Sequence, residues 1–519
     1  MVKYCIDIYL GEDTMHYIMG TPRDQLVIFN SYLDEIIPKD SPVRFIDLYI
    51  ESLDLIKLGF KVPKLLTGAP PYEPTLLLRI YIYCYFEKVR SSRKIEKECR
   101  RNQELIWLTC NLAPDFKTIA DFRKNNKKGL KNIFKEFLLL CKKLNLLSLK
   151  LTAIDGTKIR AQNANNEVYK RNTIDDRKDH IEEKIEEYIN ILNKNDAEEN
   201  EELELSKEET GKILKKVCKL KKLHNKVEII KGLFESDESL EKYFATDSDS
   251  RFQSDKGQVA PGYNAQICSD NKNKIIVAAD VTNESNDCNQ MSPMLNKLKD
   301  IKKELEIEEK TSMIMDAGYH NENEIMKNKD DDDVDILLQS RLEAKKENKR
   351  RKFEKKRVNK NKVPKEGFEL EHFKYDKEKD VCICPLGHIL ERINKKPKLT
   401  GLSYKNIYGT KACKNCVNRN DCTKNKNGRK ICLSVNKEQM DNYFELMKTE
   451  ENRKKLIKRK EIVEHPFGTI KRNWGFNYFM QRGLKKVKAE FTFICFIYNL
   501  KRILNLVPLK DLYKVLENA

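Results

Sequence analysis

The stretch LKLTAIDGTKI (149–159) is where the chain changes period. Before it, apolar residues recur every three or four positions, as on helices that bury one face. Within it they alternate, as along a half-buried strand. The alternation delivers Asp155 at the strand's end, just before Gly156. Downstream, PGYNAQICSD (261–270) and KIIVAADVTN (274–283) are two more strands, joined by the turn Asp270-Asn271-Lys272-Asn273. A helix over MSPMLNKLKDIKKELEI (291–307) leads to an apolar strand in TSMIMDAG (311–318) that carries Asp316. A short helix, NENEIMKNK (321–329), then precedes a last strand in DILLQSR (335–341). This order predicts an α/β fold around one mixed sheet.

Upstream, residues 40 to 150 predict helices. Pro74 fits the opening turn of TLLLRIYIYCYF (75–86), because a residue without a backbone N–H costs nothing there. SSRKIEKECRRNQELIWLTC (91–110) starts with Ser91 or Ser92 as an N-cap. Asp115 caps a third helix, which Gly129 can interrupt. Between the first two strands, residues 166–235 return to a charged helical pattern with heptad-like apolar positions, the mark of an inserted helical hairpin. After Arg341 comes a run at 345–362 with eleven basic residues against two acidic, either a solvated segment or one that tracks phosphates. Helical pattern resumes from about Lys437 to Asn505.

Lys and Arg total 100 against 81 acidic residues, a net charge of +19 that favours a polyanionic partner. No run of 18 apolar residues occurs, so no spanning helix is expected; nor does the N-terminus read as a signal peptide. Fifteen cysteines are too dilute for a disulfide scaffold, and those in apolar patterns (Cys84, Cys99, Cys110, Cys141, Cys495) are expected to be buried thiols. A cytoplasmic protein without a membrane partner is the expectation.

Two kinds of residue cluster carry chemistry. Asp155 in AIDGTK and Asp316 in IMDAGY each close an apolar strand at a sheet edge, where a pair of carboxylates suits hard divalent cations such as Mg²⁺. The plainer alternative is two turn aspartates that cap their own backbones. The second cluster is Cys384, then Cys413 and Cys416 as CxxC, then Cys422, a set of four soft thiolates that suits tetrahedral Zn²⁺. Cys382 and His388 are alternative ligands, and Cys432 is expected to be buried. Such a site would staple an insert that lacks its own core.

Five ordered segments carry a family resemblance: FKTIADFRKNN (116–126), AIDGTKIRAQNANN (153–166), GYNAQICSDNKNKIIVAADVTNESND (262–287), IMDAGYHNENE (314–324), and EIVEHPFGTIKRNWGFNYFMQRGLKKVKAEFTFICFIYNLKRI (461–503). The chain resembles DDE transposases of bacterial insertion sequences, specifically the group numbered eleven-eighty-two. The resemblance implies a ribonuclease H-like core in which Asp155 and Asp316 are the first two catalytic carboxylates and Glu464 the third. They would share two Mg²⁺ (or Mn²⁺) ions. Lys471 lies seven residues after Glu464, the family's spacing, and would hold a DNA phosphate together with Arg459, Lys460, Arg472 and Arg482. Pro466 implies that the helix kinks or restarts there, with Glu464 near its entry. Glu490 is the rival acid, expected instead in an ion pair with Arg482 or an N-terminal basic residue. Asp287 is expected to cap a turn or helix, with support of a metal site as the lesser reading, and His465 is a minor candidate. The cysteine insert also matches the family's plan.

The expected organisation has four parts. Residues 1–148 form an N-terminal helical DNA-binding domain, and 149–341 hold the first part of the core, with the hairpin at about 166–237. A basic, zinc-bearing insert spans 342–432, and 433–519 complete the core with helices. The reaction implied is metal-dependent cleavage at element ends in double-stranded DNA, then strand transfer into target DNA, by a homodimer on the nucleoid. The alternatives are a catalytically silent DNA-binding regulator and a nuclease that cuts without joining.

Overall fold

The computed structural model describes residues 32–61, 71–197, 206–340, 368, 370–400, 403–423 and 425–517. The basic run 345–362 lies outside them. Six helices come first: α1 (Pro42–Glu51), α2 (Pro74–Phe86), α3 (Ser92–Arg101), α4 (Gln103–Leu108), α5 (Phe116–Asn125) and α6 (Lys127–Lys143). Their starts follow local chemistry. Pro74 stands in the opening turn of α2, and Asp115 accepts from the Lys117 and Thr118 N–H groups. Two breaks differ from expectation. The helix expected over 91–110 divides at Asn102, whose side chain accepts from the Glu104 and Leu105 N–H groups and so caps α4. The later break falls at Asn126 rather than Gly129. Asn126 Oδ1 accepts from the Lys61 N–H at 2.7 Å, whereas Gly129 lies inside α6 under the Phe60 ring, where a Cβ would come within 2.5 Å.

The strands then build the main sheet. The first, β1 (Leu151–Arg160), is followed by β2 (Val168–Lys170), the long helices α7 (Ile174–Ala197) and α8 (Lys207–Ser236), and β3 (Lys242–Phe244). β2 and β3 pair with each other, and α7 and α8 share a small core of Tyr169, Ile174, Ile181, Val227, Ile230 and Phe234 that is separate from the main one. The expected inserted hairpin is therefore present, closed at its base by a two-stranded ribbon. Next come β4 (Arg251–Asp255), β5 (Gln258–Asp270), β6 (Ile276–Thr282), α9 (Met291–Glu304), β7 (Thr311–Met315), α10 (Glu322–Asn328) and β8 (Val334–Leu338). β1 is central. β5 runs antiparallel along one side of it, β7 runs parallel along the other, and β8 is parallel beyond β7. β6 is antiparallel on the far side of β5, and β4 makes a hairpin with the start of β5.

A second sheet holds β9 (Lys374–Asp376), β10 (Val381–Ile383), β11 (Ile389–Arg392), β12 (Lys398–Thr400), β13 (Ser403–Gly409) and β14 (Lys430–Ser434). It corrects the expectation of an insert with no core. Cys382, Leu390, Tyr408, Ile431 and Leu433 pack into one. The chain ends in α11 (Lys437–Met447), α12 (Glu450–Ile457), α13 (Arg459–Phe467), α14 (Leu484–Leu506) and α15 (Leu509–Glu517).

One continuous apolar core runs from α1 through the main sheet to α15. Its hub is α14, buried along most of its length. Phe493 meets Tyr85 of α2 and Phe496 meets Phe137 of α6, each edge to face at 5.1 Å. On another side, Asn499 bonds both backbone groups of Ile276, so α14 occupies the outer edge of β6. Among the described residues no single helix is long and apolar enough to cross a membrane. The bent pair α14–α15 reaches the length and composition, and α14 is a buried core helix.

Candidate active site

Asp155 lies in the middle of β1, not at its end. The pairing of β1 with β7 stops at Ala153–Ile314, while β1 itself continues to Arg160 against β5. A crevice opens where β7 ends, and Asp155 stands on its wall. Asp316 follows directly after β7, where its carboxylate accepts from the Gly318 N–H at 2.8 Å and caps the turn Ala317–Tyr319. Two carboxylates from different strands thus reach one crevice. Arg459, the first residue of α13, spans them: its guanidinium is 3.0 Å from Asp155 Oδ2 and 4.0 Å from Asp316 Oδ2. Burial pushes the Asp155 carboxyl up to about 6 from its ordinary 3.8, and Asp316 adds to the rise. Arg459 and the Gly156 N–H oppose it.

The opposite face of β1 carries a second polar cluster. Asp287 Oδ1 accepts from the side-chain amides of Asn264 and Gln266, each at 2.7 Å, and Lys158 Nζ lies 3.6 Å away. The buried Tyr319 hydroxyl donates to Gln266 Oε1, and the charges of Asp155, Asp287 and Asp316 all raise its pKa after burial itself. Gly156 is required here. A Cβ on it would come within 2.3 Å of Gln266 Nε2 and 2.7 Å of Asp287 Oδ1. Asp287, expected to cap a turn or helix, instead packs its carboxylate under the strand that bears Asp155, held by Asn264 and Gln266. The signal available in the sequence was the pair Asn264 and Gln266, two amides on one face of a strand otherwise fit for burial.

Glu464 faces solvent on α13. Among the described residues no hydrogen bond or ion pair joins it to Asp155 or Asp316. Its helix nevertheless lies against β1. Five residues before it Arg459 reaches Asp155. Seven after it Lys471 donates to Thr157 Oγ1, the Lys158 carbonyl and Asp255 Oδ2 at 2.9–3.0 Å. The helix neither kinks to a stop nor restarts at Pro466. It runs through the proline and widens into a π-turn at Gly468–Asn473, so Glu464 sits well inside it. Lys460, Arg472 and Arg482 are exposed. His465 Nδ1 pairs with the Tyr498 hydroxyl at 2.7 Å. Glu490 is buried, accepts from the Met480 and Gln481 N–H groups, and lies 3.9 Å from Arg90, an N-terminal basic residue.

Cys384, Cys413, Cys416 and Cys422 line one small cavity of the insert, with His388. Burial raises the Cys422 thiol pKa, and the other three thiols add to the rise. The backbone crosses Cys413 at Gly428, whose φ is +85° and where an added Cβ would come within 2.5 Å of Cys413 Cβ. Cys382 belongs to the insert's core instead. Cys432 and Cys110, expected to be buried, are exposed. Among the described residues no group of three or more His, Cys, Asp or Glu side chains stands at the spacing that closes around a metal ion.

Two segments match family models. Residues 31–125, the first helices, match a transposase domain (DUF772), and residues 383–504 match a transposase DDE domain. The second match contains Arg459, Glu464 and Lys471; Asp155 and Asp316 lie outside both. No curated protein matches the chain, and no solved structure does. With a transposase domain near one end and a transposase DDE domain near the other, the chain is a DNA transposase of the DDE type, an enzyme that cleaves and transfers DNA strands.

Proposed function

We propose that the chemistry takes place at Asp155 and Asp316 on a ribonuclease H-like core, with Glu464 as the third carboxylate. Supporting the core is the strand order β6–β5–β1–β7–β8, with β5 alone antiparallel to both its neighbours. The observation that carries the site is the convergence of Asp155 and Asp316 on one guanidinium, which sets two carboxylates within reach of a single cation. Their donor set fits Mg²⁺ or Mn²⁺: hard oxygens, partly exposed, with a burial cost that a cation relieves. Bound there, such ions supply a Lewis acid and activate the attacking water or 3′-hydroxyl.

The protein's own residues do the rest. Asp155, in the middle of β1, and Asp316, at the end of β7, hold the charge in place, and Tyr319 and Gln266 fix the strand beneath them. Glu464 enters on α13, whose two flanking contacts already lie over β1. Lys460, Arg472 and Arg482 present exposed cations to phosphate, while Lys471 steadies the helix on Thr157 and Asp255. Arg459 engages phosphate only on leaving the carboxylate pair. The four cysteines would hold a structural Zn²⁺; their convergence on one cavity supports that reading.

The substrates in this reading are the ends of an insertion sequence of group eleven-eighty-two and target DNA, bound by a homodimer with the first helices on the ends. The test is cleavage of a plasmid that carries such ends, in Mg²⁺ and in EDTA. Metal-dependent nicking that Asp316→Asn and Glu464→Gln each abolish is the expected result. Nicking undiminished in Asp316→Asn would sink the site, and undiminished in Glu464→Gln would remove Glu464 from it.

A further inference from the structure

Each carboxylate of the crevice has one oxygen committed to nearby backbone. Asp155 Oδ1 accepts from the Gly156 N–H and Asp316 Oδ1 from the Gly318 N–H, both at 2.8 Å. The other oxygen of each, Oδ2, faces the Arg459 guanidinium, at 3.0 Å from Asp155 and 4.0 Å from Asp316. A divalent cation such as Mg²⁺ takes carboxylate oxygens at about 2.1 Å, closer than an N–H donor stands. An ion between the two Oδ2 atoms would therefore fall within the volume of the guanidinium, and the two positive charges would repel at close range. Guanidinium and ion exclude each other.

Little else holds Arg459. Among the described residues its guanidinium makes one hydrogen bond, to Asp155, although the side chain is only 15 % exposed and carries a whole fork of N–H donors. Arg44, which ties the first helices to the segment before them, makes four. Arg459 also stands where it can leave. α12 ends at Ile457 and α13 begins at Arg459, so the side chain springs from a joint between helices, flanked by the exposed Lys458 and Lys460. The Asp155 and Asp316 side chains are 25 % and 37 % exposed, which leaves the crevice open to a phosphate that those lysines attract. A phosphate offers a guanidinium two acceptors in its own plane, a better match than two carboxylates at unequal distances.

We infer that Arg459 is an internal counter-ion that closes the cation site until a DNA phosphate draws it away. The inference rests on Asp155 and Asp316 as the metal-holding pair, and not on which residue is the third carboxylate. In the free protein the guanidinium neutralises the pair. With DNA bound it turns to a backbone phosphate and leaves both Oδ2 atoms to the cation. Cation and DNA then favour the same position of Arg459, so each raises the protein's affinity for the other by one common factor. The contact keeps metal-activated chemistry from starting before DNA is in place.

The experiment is Mn²⁺ uptake by the full chain, read from loss of the free-ion EPR signal, for wild type, Arg459→Gln and Asp316→Asn. Each is titrated alone and with a DNA duplex, whose own uptake is measured separately and subtracted. Wild type is expected to bind the ion about 5- to 150-fold more tightly with duplex than without, the usual span of such couplings. Arg459→Gln is expected to bind it without duplex about as tightly as wild type does with it, and to gain little when duplex is added. Two outcomes overturn the gate while leaving the carboxylate pair in place: free Arg459→Gln no tighter than free wild type, or a variant that gains from duplex by the full wild-type factor. Uptake that survives Asp316→Asn overturns the pair itself, and the inference with it.

Discussion

A carboxyl held at about 6 instead of 3.8 costs the folded protein about 3 kcal/mol once it is fully ionised. Asp155 is three-quarters shielded, so most of this cost is felt. The sign follows from the direction of the shift. A raised carboxyl costs nothing below its unfolded value, and the penalty grows as pH rises from about 4 to about 6. In EDTA, Asp155→Asn is therefore expected to melt above wild type at pH 8, with the difference shrinking towards pH 4; melting curves at a series of pH values check it. A variant less stable than wild type at pH 8 would show that Arg459 outweighs burial. Beside it, Gly156→Ala drives a methyl into Gln266 and Asp287, both hydrogen-bonded and hemmed in. Overpacking of this kind costs about 1–3 kcal/mol, read by urea denaturation, and it displaces Asp287 from under the site.

Among the elements, α14 makes the strongest demand. Glu490 on it accepts from two backbone N–H groups and faces Arg90; burial raises its pKa, and Arg123 opposes the rise without cancelling it. Glu490→Ala would leave buried cations unpaired and is expected to cost about 3–5 kcal/mol in urea unfolding, with Glu490→Gln losing less because it keeps an acceptor. That contrast also separates a structural acid from a catalytic one, since Glu490→Gln is expected to retain nicking in proportion to its folded fraction. The strands of the main sheet were readable because β1, β5, β6 and β7 alternate or run apolar between turn residues. What was hidden depended on partners distant in sequence. Nothing local shows that β1 outruns β7, which is why Asp155 read as a strand end. Asn102 and Asn126 look like ordinary polar helix positions until their side chains find backbone N–H groups. Asp287 sits in a run, TNESND, that reads as turn, and only the sheet brings Asn264 and Gln266 to it. The second sheet is built of strands of three to seven residues, too short for a period to emerge. Glu464 is singled out only by the family's spacing to Lys471, and nothing local in the sequence shows its exposure.

At the scale of the molecule, two bodies differ in how they are tied. The α7–α8 hairpin has its own core and a ribbon at its base, so replacing residues 174–236 by a short linker is expected to leave a cooperative unfolding transition within a few degrees of wild type, followed by calorimetry. A collapse of that transition would mean that the hairpin supports the main core. The first helices are tied quite otherwise, because they share one core with α14. The consequence concerns the fate of damaged gene copies. A frameshift or stop codon anywhere before Leu484 removes the helix on which α2, α6 and β6 all close, and the first helices and main sheet of such a product are expected to lose their common core and lie open to proteolysis. A broken copy is therefore expected to leave no folded N-terminal fragment that could compete with intact protein for element ends.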